Sequence, residues 1–422
     1  MLLRKLNKLQ KTIRYNWKKS VLGAVALYYG ATVVKEKYEI NLLMRAACEE
    51  AARYGDRMIA IDDNPMLVTV VLNPVANKRK AKQDFEKYCE PLLHLAGMQV
   101  DVIQTSSEGN AKELVETLKG TQAIVIAGGD GTLSECITGL LRRNDDANRF
   151  PVGILPLGRT NTIGNTLFSK GDGVFRVKQL IEASMAIIKG NTMWKDAMKI
   201  EPIEEEEDAV FGKPIFALCS LEWGAFRDVM SKKHKYWLYG SLREYASYVF
   251  NGYRQSLNWH CKGVIKYSPP CDGCSNCVMK RPQVKRKWAF FLPSTTLAED
   301  NSPANLVNNK CDSTKEVCFQ TSDFRIMTPN LQNTQTTPAL SIGIGKYNYN
   351  YAEFVSEGWD RVRDKSIKNA ILARSVMLFP KEHFGATTID IDREEYEAKP
   401  IKITLLPKVV RLFCSDSNNY EK

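Results

Sequence analysis

The sequence predicts two folded units in series, an α/β domain built on a parallel sheet followed by an all-β sandwich. Three observations carry that expectation. Short apolar, β-branched runs alternate with amphipathic helical stretches from residue 66 to residue 189. From about residue 211 the texture changes to strand-like runs bounded by turn residues. The length of 422 residues exceeds what a single core organises comfortably. An apolar content of 44% and a charged content of 25% are those of an ordinary globular chain. The expected division is residues 1–40 as a basic leader with a short hydrophobic membrane segment, 60–195 as the α/β domain and 196–415 as the β domain.

The leader is distinct in charge. Residues 1–20 hold seven cations and no acid, so the net +11 of the chain less these seven leaves +4 on the other 402 residues. A nucleic-acid binder should carry its cations on the folded surface, so no nucleic-acid partner is expected, and a basic tail meeting an anionic membrane surface fits better. Residues 20–34 are uncharged. As a helix they reach roughly 22 Å against the ~30 Å of a hydrocarbon core, which predicts an interfacial or half-inserted segment. A basic, acid-free leader with Ser and Tyr also suits a mitochondrial address, and no secretory cleavage site is evident. Eleven cysteines, an odd number spread along a long chain, are expected to be mostly free.

In the α/β unit, residues 66–72 (MLVTVVL) read as a buried strand and 81–95 as a helix, with Gly97 where a C-cap falls. Residues 99–105 form the second strand. A helix over 109–118 places Ala111, Leu114, Val115 and Leu118 on one face. Residues 123–127 (AIVIA) are a third strand, and 132–143 a helix with Leu133, Ile137, Leu140 and Leu141 as its stripe. A strand over 152–155 and a helix over 174–189 complete the series. Uninterrupted apolar strands imply a parallel sheet covered on both faces, with ligands at the strand C-termini.

Three loops fall at those ends: Asn73-Pro74, then Gly128-Gly129-Asp130-Gly131-Thr132, then Pro156-Leu157-Gly158-Arg159-Thr160-Asn161. In the middle one a strand ends, glycines let the backbone approach a ligand, and a helix begins whose free N–H groups suit phosphate. A carboxylate at Asp130 inside such an anion site makes sense if Mg²⁺ lies between it and the phosphates, or if it accepts a proton from an attacking hydroxyl. The sequence contains no GxxxxGK[ST] loop, no HRD or DFG, and no GxGxxG after the first strand.

At these residues the chain resembles the diacylglycerol kinase catalytic-domain family, which includes the sphingosine kinases. GGDGT at Gly128–Thr132 matches completely, and Glu135 and Gly139 match the helix after it. Asn73-Pro74 match the family's NPxSG, while Val75, Ala76 and Asn77 depart from it. Pro156, Leu157, Gly158 and Asn161 match its PLGTxND loop, with Arg159 and Thr162 in place of Thr and Asp. Asp392-Arg393-Glu394 stands for its DGE, with Arg393 in place of Gly. Leu92, His94, Thr166 and residues 221–228 (LEWGAFRD) resemble the acylglycerol kinase branch, whose members are mitochondrial.

The resemblance implies a phosphofructokinase-like nucleotide domain, an active-site cleft between the two domains, ATP as donor and Mg²⁺ as cofactor. It implies a neutral glycerolipid acceptor, monoacylglycerol or diacylglycerol, giving lysophosphatidic or phosphatidic acid. It also implies a mitochondrial inner-membrane position on the intermembrane-space side and association with the inner-membrane carrier translocase. Asp130 is the expected catalytic group and Asp196, where the first domain hands over to the second, the expected partner of the acceptor hydroxyl. Asn73, Thr105, Gly128, Gly129, Gly131, Thr132, Gly158 and Asn161 would line the nucleotide, and Glu394 would join the Mg²⁺ shell. Two alternatives remain open: an NAD kinase, since those enzymes also carry GGDGT, and a non-catalytic import scaffold. The leader, the PLG…N loop and the D-x-E favour a lipid acceptor.

In the second unit, strands are expected over 214–221, 263–268, 288–292, 340–345, 375–380, 387–392, 401–406 and 409–414, with a polar loop over 299–338. The aromatic stretch 236–253 is helix-compatible and suits either a bilayer interface or ordinary packing. Cys271, Cys274 and Cys277 have the spacing of a Zn²⁺ site, with His260, Cys261, Cys311 or Cys318 as a fourth ligand; disulfides or free thiols are the alternatives. The acidic run 204–208 reads as a solvated loop.

Overall fold

The alternating half of the chain builds the parallel sheet. The computed structural model describes residues 15–56, 65–143, 150–169, 173–203, 212–254, 260–271, 274, 311, 313–331, 338–363, 367, 370–384 and 388–415. Strands β1 (Leu67–Leu72), β2 (Gln99–Gln104), β3 (Ala123–Gly128) and β4 (Val152–Pro156) pair in the order β2-β1-β3-β4, parallel throughout. Every residue of β3 and β4 is buried, as a sheet covered on both faces requires. The covering helices are α1 (Trp17–Gly55), α2 (Ala81–Asp84), α3 (Glu90–Leu95), α4 (Asn110–Thr117), α5 (Asp130–Arg142), α6 (Thr162–Leu167) and α7 (Val174–Lys189). The single helix expected over 81–95 is interrupted by a π turn at Phe85–Cys89. Pro91, just inside α3, has no N–H for a regular i→i−4 bond, and the wider turn accommodates it.

Helix α1 is 39 residues long and runs well past the expected leader. Its inner end buries Ala47 and Ala51 in the α/β core. Its outer part exposes Val21, Leu22, Leu27, Tyr28, Tyr29 and Val34. No helix among the described residues is long and apolar enough to cross a membrane.

The sheet does not stop at β4. The long strand β16 (Ile401–Phe413) returns to pair with β4 through Leu412 and Val152. Along the same edge, at Ile401–Thr404, it pairs with β13 (Ser375–Phe384), while β5 (Thr192–Pro202) lines its opposite edge; from β13 the sheet continues through β8 (His260–Ser268) to β9 (Lys315–Thr321). With β6 (Ile215–Ala217) this is a mixed ten-stranded sheet. A second, wholly antiparallel sheet has the order β12 (Ile371–Ala373), β11 (Leu340–Ile344), β10 (Asp323–Met327), β7 (Ser220–Gly224), β14 (Thr388–Ile391), β15 (Glu394–Glu397). Met198, Trp223, Phe319, Phe324, Val376 and Ile403 fill the space between the sheets. Helices α8 (Ala225–Ser231), α9 (Arg243–Arg254) and α10 (Tyr351–Arg363) close over a small cluster of Phe226, Tyr248 and Phe354.

Several elements differ from the expectation. The runs over 401–406 and 409–414 are one strand, bulged between Leu406 and Val410, where Lys408 takes a φ of 51°. The run over 214–221 is two strands, β6 and β7, because the chain turns at Leu218 and Cys219. The polar stretch 299–338 contains β9, which pairs with the distant β8, and β10, which pairs with the distant β7 and the nearby β11. The aromatic stretch 236–253 divides into a 3-10 segment, Lys232–Leu242, and α9. The expected strand over 288–292 and the acidic run 204–208 lie outside the described residues.

Candidate active site

The first layer of the site is backbone against backbone. A Cβ built on Gly158 would lie 2.2 Å from Gly129 Cα and 2.8 Å from Gly129 N, so the two glycine loops touch with no room for a side chain. Gly158 N–H donates to Gly128 O (2.9 Å), and Asp130 N–H donates to Thr160 O (3.0 Å). Asn161 closes its own loop, with Oδ1 accepting from Gly158 N–H and Nδ2 donating to Gly158 O. From β1, Asn73 Nδ2 donates to Thr132 Oγ1 (3.0 Å). Thr105, at the end of β2, is buried and donates its N–H to Leu72 O. The loops after β1, β3 and β4 therefore converge at one edge of the parallel sheet.

Asp130 opens helix α5 and is 5% exposed. Its Oδ1 accepts from Thr162 N–H (2.6 Å) and its Oδ2 from Thr162 Oγ1 (3.0 Å). A threonine thus holds the carboxylate in one orientation from the loop after β4.

The second layer arrives from the β14–β15 hairpin. Asp392 and Arg393 form its turn with φ of 48° and 77°. The Asp392 carboxylate accepts three backbone N–H bonds, from Leu218, Cys219 and Ser220, and so secures the turn that separates β6 from β7. Burial pushes its pKa up to about 6; the three N–H bonds oppose this, and the charge of Asp130 adds to it. A small cavity between the layers is lined by Asp130, Leu133, Thr162, Ser220, Asp392 and Arg393.

Glu394 lies against the glycine loop: a Cβ on Gly131 would be 3.0 Å from its Oε1. Tyr396 OH donates to Glu394 Oε2 (2.8 Å). Burial raises the Glu394 pKa to about 7; the tyrosine bond opposes it, and the neighbouring Glu135, Glu108 and Asp392 reinforce it. Glu135 is itself held by the N–H groups of Gly109 and Ala111 at the start of α4.

Beside this cavity opens a larger cleft. Its lining mixes cations, Arg159, Lys233, Arg243, Arg325, Arg361 and Arg393, with the apolar Phe226, Met230, Met327, Leu331 and Val362, and Arg361 stacks on the Phe226 ring at 3.7 Å. Glu222 stands among the arginines. Burial works against its carboxylate, but Arg393, Arg325 and Arg361 outweigh that and hold its pKa below the usual range. Arg393, 3.8 Å from Glu222, is held charged chiefly by that partner.

Residues 67–200 match the diacylglycerol kinase catalytic domain family, and residues 218–421 match the acylglycerol kinase C-terminal family. The mitochondrial acylglycerol kinase of Homo sapiens is 34% identical, with 96% of each chain covered. That of Xenopus laevis is 33% identical, covering 97% of this chain and 96% of its own. The chain belongs to the acylglycerol kinase family. It is a lipid kinase. A diacylglycerol kinase structure from Bacillus anthracis shares the fold, with a TM-score of 0.50 at 16% identity over 83% of this chain and 98% of that one.

In this acylglycerol kinase family chain, the residues expected around the nucleotide gather at one sheet edge, and Glu394 joins them from the second sheet. Asp196 is the exception. Its Oδ1 accepts from Lys408 N–H (2.8 Å) inside the β16 bulge, and its own N–H and C=O are bonded by Asn330. It does not line the cavity or the cleft described above; its described contacts hold the β16 bulge. Three residues of the site were not singled out for it from sequence: Thr162, Asp392 and Glu222. The D-x-E pattern held the signal for Asp392, the PLGTxND-like loop that for Thr162 and the 221–228 stretch that for Glu222, but none of these assigned the residue a place in the site. Cys271, Cys274 and Cys311 come together well away from these loops, while Cys277 lies outside the described residues. Cys261 is buried in the sandwich core and Cys318 is exposed.

Proposed function

We propose that this enzyme transfers the γ-phosphoryl of ATP to a free hydroxyl of monoacylglycerol or diacylglycerol, giving lysophosphatidic or phosphatidic acid. The observation that carries the reading is the meeting of a glycine loop bearing a fixed carboxylate, Asp130, with an acidic hairpin from the second sheet. Backbone N–H groups of Gly129, Gly131 and Thr132 suit a polyphosphate. Asn73, Thr105, Gly128, Gly158 and Asn161 shape the remainder of its bed.

Asp130 accepts the proton of the attacking hydroxyl. Thr162 occupies one lone pair on each of its oxygens and leaves another free. A lipid alcohol is a very weak acid, so the carboxylate acts late, as charge leaves the hydroxyl in a loose transition state. Glu394, whose pKa is raised first by burial and then by the neighbouring Glu135, Glu108 and Asp392, is the kind of crowded carboxylate a divalent cation relieves, so the donor set fits Mg²⁺. Glu394 and Asp130 would hold that ion, which when bound neutralises charge on the phosphate oxygens. The cations lining the cleft suit the anionic end of the reaction, and Met230, Met327 and Leu331 among them suit an acyl portion.

Two surfaces suit a membrane. Trp237, Leu238, Tyr239 and Leu242 are exposed beside the cleft residues Lys233 and Arg243, and the outer part of α1 exposes a second apolar face. Trp and Tyr with cations alongside favour an interface. The chain is mitochondrial, in line with its relatives, and the inner membrane, from the intermembrane-space side, is the position proposed for it. A contact with the carrier translocase rests on the family resemblance, and a kinase-dead chain that still supports carrier import would separate that role from catalysis.

Incubation with γ-labelled ATP, Mg²⁺ and a panel of mono- and diacylglycerols, ceramide, sphingosine and NAD tests the reading. Label in the acylglycerols is expected. Label in NAD, or in no lipid, overturns it.

A further inference from the structure

The β8–β9 hairpin ends in a cluster of sulfur atoms that the phosphoryl-transfer site does not use. The two strands run antiparallel with Tyr267 opposite Lys315. Cys271 and Cys274 follow the first strand, Cys311 precedes the second, and their Sγ atoms all lie within 4.8 Å of one another. Cys274 and Cys311 are each 1% exposed, and Cys271 is half-buried. Arg374, between β12 and β13, donates from Nη1 to Cys311 Sγ (3.2 Å) and from Nη2 to Cys311 O (3.3 Å).

Three clustered thiols gain little from mutual contact, since each is a weak donor and weak acceptor. Three thiolates around one cation gain a great deal. Sulfurs bound tetrahedrally at ~2.3 Å stand roughly 3.8 Å apart, inside the spacing found here. A guanidinium on one sulfur favours its thiolate and offsets the net negative charge that three thiolates and a divalent ion leave.

We propose that Cys271, Cys274 and Cys311 bind one Zn²⁺ and that this ion clips shut the long connection between β8 and β9. Each cysteine releases its proton to solvent on binding, and water or a further donor completes the tetrahedron. Thiolates select zinc over Mg²⁺ or Ca²⁺, and zinc has no redox chemistry to damage the cluster. The ion sits on a structural hairpin, so its loss loosens the second sheet's neighbour and leaves the glycine loops intact.

Metal analysis of the full chain, purified under reducing conditions without chelator, should find one zinc per chain. Cys274→Ser and Cys311→Ser should each lower zinc content at least tenfold, and Cys318→Ser, on an exposed cysteine of β9, should not. Cobalt substituted for zinc should show sulfur-to-metal charge-transfer absorption that the serine variants lack. Where a serine variant fails to fold, a mercurial titrated onto the folded wild-type chain gives the same information, with zinc leaving in step with modification of these three cysteines. Only trace zinc with freely titrating thiols, copper in place of zinc, a disulfide among the three, or full zinc content in the Cys274→Ser/Cys311→Ser double variant overturns the proposal.

Discussion

Replacing Asp130 with Asn separates chemistry from architecture. Asp130 is 5% exposed, and its oxygens accept from Thr162 N–H at 2.6 Å and Thr162 Oγ1 at 3.0 Å. Asn is the same size. Its Oδ1 still accepts from the Thr162 N–H, and its Nδ2 can donate to the Thr162 hydroxyl, which turns to accept. What is lost is the charge-assisted part of two hydrogen bonds, about 1–2 kcal/mol together. Against this stands relief of repulsion, since Asp130 raises the pKa of the buried Asp392. The net change in stability should therefore be within about 1 kcal/mol of zero. The amide cannot accept the hydroxyl proton, and a positioned proton acceptor contributes roughly 10²–10⁴ in rate. That corresponds to about 3–5 kcal/mol of activation free energy. The assay is transfer of label from γ-labelled ATP to acylglycerol in mixed micelles, run beside urea denaturation of the same preparation. Turnover above a tenth of wild type would refute the role given to Asp130. A loss of turnover accompanied by unfolding would refute the claim that the loop tolerates the amide.

Three further outcomes follow from other parts of the molecule. Gly158→Ala places a Cβ 2.2 Å from Gly129 Cα, a backbone atom with no flexible end to swing aside; a loss of about 1–3 kcal/mol in denaturation and a larger loss in nucleotide affinity by calorimetry are expected. Deleting residues 1–34 removes the exposed part of α1 and keeps Ala47 and Ala51 in the core, so the thermal midpoint should hold while flotation with anionic vesicles falls; unchanged flotation would remove α1 from the membrane contact. Burial, reinforced by Glu222 and opposed by Arg227, raises the Asp390 pKa from 3.8 to about 7. The native chain therefore binds more protons than the unfolded one between those values, and stability falls as pH rises through that window. Asp390→Asn should shallow that fall, as read from urea midpoints at successive pH values; an unaltered slope would place the titration elsewhere.

The parts of this protein legible in its sequence are those where neighbours in the chain are also neighbours in space. β3, the GGDGT loop and α5 are contiguous, so the apolar run, the glycines and the helix start announce a phosphate bed before any long-range contact is considered. The alternation that produced β1, β3 and β4 is local in the same sense, because a parallel strand buried on both faces is apolar almost throughout. The π turn was hidden, since apolar periodicity alone does not weigh what Pro91 does to the ladder.

Long-range pairing decided the remainder. β9 hides in a polar stretch because an edge strand with one wet face has a weak pattern, and β10 because its partner β7 lies about a hundred residues earlier in the chain. Asp196 and Asp392 are both acids near a domain junction, and composition treats them alike. One accepts from Lys408 N–H inside a bulge, and the other meets Asp130 across a cavity, because β16 and the β14–β15 hairpin fold back from the far end of the chain. Cys311 joins Cys271 and Cys274 only when β9 pairs with β8. The sequence by itself determined the chemistry on offer, since the residue types and the local backbone that presents them are written in order. Which carboxylate faces which, and which cations crowd the cleft, was decided by tertiary structure. A carboxylate's state is set by burial and neighbouring charge, and neither exists until the chain has closed on itself.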